Sequence, residues 1–282
     1  MIRIITDSST LYSVKQGEAL GIDVSMLSVT INNKTYREFE EIATDDFIGL
    51  INQGYIPTSS QPSIGEVLEL YNKYPQDDIL NITIADGLSG TYQTALSAAG
   101  MAHDPERITV FNSRTLCGPH RYLVHKAVEL VKGGRAVKAI VAELEKLVAT
   151  SKSFLIPQDF DYLRRGGRLS SIVARIGKLI KLAPVMTLTE DCRQLTRFSI
   201  QRSFRRAVQT IVEELQRLGV DHTCQISISH SLAEDLLETA REMVSRAFPS
   251  TEIMTFLLSP AFTVQGGPRC IAIQSIQKRE FS

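Results

Sequence analysis

The sequence has only four cysteines in 282 residues, with no C-x-x-C pair among them, so it carries neither a disulfide framework nor a zinc site. Cys117, Cys192, Cys224 and Cys270 are scattered and read as reduced thiols of a cytosolic protein. His120 and His125 are out of step for joint ligation from one helix face, so no metal is expected. No apolar run reaches the length of a membrane span. The chain opens on a strand-like Ile2-Arg3-Ile4-Ile5, without the tripartite pattern of a signal peptide, and a cytoplasmic location is the expectation. Net charge is missing as well: 31 basic residues balance 31 acidic ones, which argues against a general nucleic-acid binder. Neither a Walker A pattern nor a G-x-G-x-x-G fingerprint occurs, which ranks nucleotide binding last.

What is present is a chain that can bury a core, with 43% apolar and 22% charged residues. Short β-branched runs alternate with helical periodicity through the first half. That order predicts a parallel sheet covered by helices on both faces. From Ser153 onward antiparallel strand pairs mix with helices. The expectation is therefore an α/β protein of two domains with a ligand tunnel between them. Residues 1–150 would form a three-layer α/β/α unit with a mainly parallel sheet, and residues 151–282 an α/β unit with a mixed sheet.

The chain is organised around Ala85-Asp86-Gly87-Leu88-Ser89-Gly90-Thr91-Tyr92-Gln93. The run before it, Ile79–Ile84, reads as a buried strand, and Tyr92 to Met101 as a helix. Small and hydroxylated residues thus stand where a strand ends and a helix begins, a place that suits a carboxylate or phosphate. Gly87 and Gly90 would let a ligand approach the backbone, with Ser89 and Thr91 as donors. The alternative is that Ser89 only caps the helix. Asp7, Ser8 and Ser9 at the first strand's carboxyl end carry the same two readings, ligand site or helix cap. Pro57–Ser63 reads as a rigid loop rich in donors, in which Ser63 caps a helix with Glu66 as its box partner; Ser59 and Ser60 are left for a ligand. Asp159–Ser170 holds a glycine turn among Arg164, Arg165 and Arg168. The helix expected over 171–181 is apolar at Ile172, Val173, Ile176, Leu179 and Ile180 and basic at Arg175, Lys178 and Lys181. Ser259–Arg269 reads as a loop before the last strand.

Ile5-Thr6-Asp7-Ser8-Ser9, Ser60-Gln61-Pro62-Ser63, Ser89-Gly90-Thr91-Tyr92-Gln93, Asp161–Arg168 and Gly267-Pro268, taken in that order, resemble the DegV family of bacterial fatty-acid-binding proteins. The resemblance implies a fatty acid held between two α/β domains and presented to an ATP-dependent fatty acid kinase that forms an acyl-phosphate. It makes the chain a lipid-binding carrier, not an enzyme, with no cofactor and no nucleic acid, and allows a transient membrane contact. It places the carboxylate on Ser89 and Gly90, on Ser59 and Ser60 beside S-Q-P, and on Gln265. Arg164, Arg165 and Arg168 would meet the partner or the phosphate. Gln265 stands where the family usually has histidine, Arg269 where it has glycine, Asn112 where it has aspartate and Met26 where proline is common. Glutamine can donate to a carboxylate but does not titrate near neutrality.

A competing expectation is a serine hydrolase of acyl esters. Gly87-Leu88-Ser89-Gly90-Thr91 resembles a nucleophile elbow, but Thr91 replaces its second glycine. His230, oriented by Asp159 or Asp161, would complete a triad.

Overall fold

The computed structural model describes residues 1–171 and 182–279. The helix expected over 171–181 lies outside the described residues from Ile172 on. In chain order the first half runs β1 (Ile2–Asp7), α1 (Val14–Leu20), β2 (Ile22–Ser25), β3 (Ser28–Ile31), β4 (Lys34–Arg37), α2 (Thr44–Asn52), β5 (Thr58–Ser60), α3 (Ile64–Asn72), β6 (Asp78–Thr83), α4 (Thr91–Met101), β7 (Ile108–Asn112), α5 (Cys117–Lys132) and α6 (Val137–Val148). The second half runs β8 (Lys152–Ile156), α7 (Phe160–Gly166), β9 (Ala183–Leu188), β10 (Leu195–Gln201), α8 (Phe204–Arg217), β11 (Cys224–His230), α9 (Glu234–Ala247), β12 (Glu252–Leu257), α10 (Pro260–Gly266) and β13 (Ile271–Gln277).

The first half builds a parallel sheet in the order β2-β1-β6-β7. Its strands are apolar on both faces because both are covered. Ile4, Leu80 and Ile82 meet Leu123, Val124, Leu144 and Leu147 of α5 and α6. Ile5 and Ile79 meet Val67 and Tyr71 of α3 and Ala95 and Ala98 of α4. The second half builds a mixed sheet, β10-β9-β8-β13-β11-β12. Strand alternation divides its residues: Ile156, Ile271 and Ile273 join the core under α8 and α9, while Ser153, Leu155, Ala272 and Gln274 face a cavity. The α/β class with one parallel and one mixed sheet is as the sequence predicts.

Two local expectations change. Parallel β2 is followed by antiparallel β3, which opens a hairpin. The turn between β3 and β4 is Asn32-Asn33, both at positive φ, which matches the twist of a hairpin. The loop over Pro57–Ser63 contains β5, which pairs with β3 to close a small third sheet. Half of the expected capping box forms: Ser63 Oγ accepts from Glu66 N, but the Glu66 carboxylate turns to Met26 N and Arg37.

The largest change is at Ser259–Arg269, where α10 replaces the expected loop. Pro260 at the first helical position needs no N–H partner, and the helix ends at Gly267 with φ 81°. Although late in the chain, α10 packs on the small sheet, its Ala261 and Val264 meeting Leu27, Val29 and Phe47. Two polar contacts fix its start. Thr44 Oγ1, in the first turn of α2, donates to Leu258 O at 3.0 Å. Glu38, fully buried, accepts from Ser8 Oγ at 2.6 Å and from Ala261 N at 2.9 Å.

No cation pairs with Glu38 among the described residues, and burial pushes its carboxyl up to about 7 against the pull of these donors. The Ser259 hydroxyl, beside it and otherwise without a partner, also favours the ionised form as a donor, and burial outweighs it. A carboxyl raised on folding stabilises the native state below its unfolded value of 4.5, and that contribution is lost as pH rises through about 7. Compared with Glu38→Gln, the wild-type protein should lose roughly 3 kcal/mol of unfolding free energy across that window, a figure that follows from about 1.4 kcal/mol per unit. Urea unfolding at several pH values checks this, and a difference between the two proteins that does not change with pH would refute it.

Candidate functional site

The cavity lies between the parallel and mixed sheets and holds about 1050 Å³ of space between atoms, its open end included. Leu27, Ile84, Leu88, Leu155, Leu163 and Phe262 give it an apolar wall. Its polar side chains include Ser59, Ser60, Gln61, Ser89, Arg168 and Gln265. Among the described residues the wall has no histidine and no carboxylate.

Several elements place these polar residues. Short strand pairing sets Ser59 opposite Val29. Gln265, one residue before the end of α10, donates from Nε2 to Ser59 Oγ at 3.0 Å. Because Ser59 accepts there, its own hydroxyl proton is left to point elsewhere. Ser89 stands one residue before the N-cap position of α4, which is Gly90. Its Oγ accepts from Thr91 N at 3.3 Å and lies 2.8 Å from Thr91 Oγ1. The turn carrying Ser89 is tied down from three sides. Asp7 accepts from Ile84 N, Asn112 Oδ1 accepts from Asp86 N, and Arg168 Nε donates to Leu88 O at 3.0 Å. Asn112 serves as well as aspartate here, since the contact needs only a carbonyl acceptor.

Gly87 and Gly90 are corrected. Neither lines the cavity. A Cβ on Gly87 would fall 2.2 Å from Arg193 Cα, and one on Gly90 would fall 3.0 Å from the Gln61 amide. These glycines admit other parts of the protein, not a ligand. Asp7, Ser8 and Ser9 are likewise fully buried and inward-bonded. Asp7 accepts from Ser9 N, Ser8 bonds Glu38, and Ser9 Oγ meets His120 Nδ1 at 2.9 Å. Burial lowers the His120 pKa, so the ring is neutral and serves as internal glue.

The three arginines separate. Arg168 is on the wall, where its partial burial lowers its pKa, and it also bonds Gly166 O. Arg164 and Arg165 lie outside it, exposed, with Arg164 paired to Asp161 at 3.0 Å and Arg165 over the Tyr162 ring. His230 is not on the wall, and its Nδ1 accepts from Ala233 N at 3.1 Å. The hydrolase reading therefore lacks a base beside Ser89 among the described residues. Sequence reasoning missed Cys117, Cys270, Ser153 and Gln274 as wall residues. The strand alternation of β8 and β13 could have found the last two.

Over residues 1–278 the chain matches the model of a family described as "Uncharacterised protein, DegV family". It is 28% identical over 277 residues to a DegV domain-containing protein of Listeria innocua, covering 96% of this chain and 97% of that one. Its fold is similar, at a TM-score of 0.88 and 26% identity, to that in a structure of fatty acid binding by a DegV family protein from Thermus thermophilus, with 98% of this chain and 99% of the other covered. It is similar at a TM-score of 0.86 and 28% identity to DegV, a fatty acid binding protein from Bacillus subtilis, again over 98% and 99%.

Gly87→Ala tests how the Ser89 turn is held. The added methyl would displace the Arg193 backbone and loosen the Arg193–Asp86 ion pair. Overpacking of this kind costs about 1–3 kcal/mol. Thermal unfolding should show a Tm several degrees lower, and an unchanged Tm would mean that the two loops do not lean on each other.

Proposed function

Because this chain belongs to the DegV family, we propose that it binds a long-chain fatty acid in the cavity between its sheets and presents the carboxylate to a fatty acid kinase for acyl-phosphate formation. The observation that carries this reading is a largely apolar cavity whose wall also presents Ser59, Ser89, Arg168 and Gln265. An acyl chain gains about 0.8 kcal/mol per buried methylene, so the tail supplies most of the affinity. The polar side chains then fix the head group. Ser59, with its acceptor side taken by Gln265, directs its proton to a carboxylate oxygen. Ser89 donates from the start of α4, where the helix dipole favours negative charge. Arg168, between Leu88 O and Gly166 O, supplies positive charge beside it.

On this reading the protein is a carrier. Ser89 acts as a donor, without a base to make it a nucleophile. Arg164 and Arg165, on the exposed side of α7, offer the kinase a docking surface. The chain divides near residue 150, after α6, into units 1–150 and 151–282. It works in the cytoplasm, where its four free thiols stay reduced, and collects its ligand through transient membrane contact. No helix among the described residues is long and apolar enough to cross a membrane.

Native mass spectrometry of gently purified protein should show one co-purifying fatty acid. After delipidation the protein should take up palmitate or oleate at one site. A clean unliganded mass with no uptake would end the proposal. Ser89→Ala removes one hydrogen bond to a charged group, worth about 1.5–3 kcal/mol, so binding should weaken roughly ten- to a hundredfold. Kinase coupling is read separately: with ATP and a fatty acid kinase subunit, the loaded protein should yield acyl-phosphate. Tight binding without phosphorylation would remove the kinase and keep the carrier.

A further inference from the structure

Away from the head-group cluster, the cavity floor carries a second polar pair that the proposed function leaves unused. Ser153 of β8 and Gln274 of β13 stand opposite each other in antiparallel register. Both line the cavity, on the face that also presents Leu155 and Ala272. Leu188 and Leu195 complete that part of the wall. A lone polar pair in an apolar stretch needs an account.

Gln274 accounts for itself. It is 1% exposed and each polar atom of its amide is used. Nε2 donates to Leu116 O at 3.1 Å and to Ser153 Oγ at 2.8 Å, and Oε1 accepts from Gly118 N at 3.3 Å. It anchors the start of α5 to the mixed sheet. Ser153 is different. Its oxygen accepts from Gln274, so its own proton must go elsewhere, and no acceptor for it exists among the described residues. Gln274 thereby fixes the hydroxyl oxygen and leaves the proton for whatever fills the cavity.

The position of this donor follows from β13. Gly266 stands against Cys270, since a Cβ on it would lie 2.7 Å from Cys270 Sγ. The Gln265 region therefore adjoins the Cys270 end of the floor. Gly266 also faces Leu155, whose Cδ1 lies 3.8 Å from the same Cβ position, and Ser153 lies two residues beyond Leu155 on the same strand face, about 7 Å at roughly 3.3 Å per residue. The Ser153 donor thus stands apart from the Gln265 end of the head-group cluster and meets the chain of a bound acid.

We infer that the ligand class of this cavity is an oxygenated long-chain acid, carrying along its chain a hydroxyl or oxo oxygen that accepts a hydrogen bond from Ser153 Oγ. The inference rests on the fatty acid reading above. A plain methylene opposite Ser153 leaves a desolvated O–H unpaired, which is unfavourable, whereas an oxygen substituent satisfies it. The pair therefore discriminates by the polarity of the tail, independently of the carboxylate contacts.

The test compares stearic acid with its monohydroxy isomers, substituted at successive carbons, by calorimetric titration of the delipidated full chain. One isomer should bind at least fivefold more tightly than stearic acid. Ser153→Ala should bring that ratio to one or below while leaving stearic acid binding intact. Ser89→Ala should weaken both acids alike and keep the ratio. Stearic acid binding with no isomer preferred, or a preference that survives in Ser153→Ala, would overturn this inference and leave the fatty acid reading standing. If no acid of either kind binds, both fall.

Discussion

The site depends on one buried carboxyl group. Glu38 joins a hydroxyl at the end of β1 to a backbone N–H at the start of α10. Without it, Ala261 N and Ser8 Oγ would lose their acceptor inside the protein, and unpaired buried donors are expensive. Through α10 the contact sets Gln265 over Ser59 and positions Phe262 and Gly266 on the cavity wall. A cation beside Glu38 would have held the carboxyl ionised through the neutral range. Neutral donors alone leave it able to exist in either state near neutral pH. The seam is further strained: Leu11, Phe39 and Cys117, grouped in and around one small apolar cluster, all have left-handed backbone.

Polar residues at the strand ends divide between two tasks. Asp7, Ser8, Ser9, Asn112 and His120 bond inward and hold the turns. Ser59, Ser89 and Arg168 keep a side to the cavity. Serines fall in both groups. What separates them is whether a neighbour from another element covers them. Gly87 shows the distinction: its lack of a side chain serves Arg193, more than a hundred residues later, and not a ligand.

The periodic parts of the fold were legible. The β-branched run Ile79–Ile84 covers most of β6, and Ser63 starts α3. Each rests on interactions within a few residues. The failures share a cause. β5 has three residues and exists because β3 offers it an edge. α10 is short, begins with proline and ends in glycines, so its composition reads as a loop; packing on Leu27, Val29 and Phe47 makes it a helix.

The stretch from Ala85 to Gln93 looked from the sequence like an anion site at a helix start. The sequence by itself determined that a strand ends there, that a helix follows, and that Ser89 stands between them, because backbone propensity and side-chain period are local. Only the tertiary structure decided that Ser89 shares a cavity with Ser59, Gln265 and Arg168, that Gly90 is set back behind Gln61, and that Ser153 and Gln274 mark the floor. Those juxtapositions join residues from both sheets, and no local pattern encodes which distant surface will cover a given side chain.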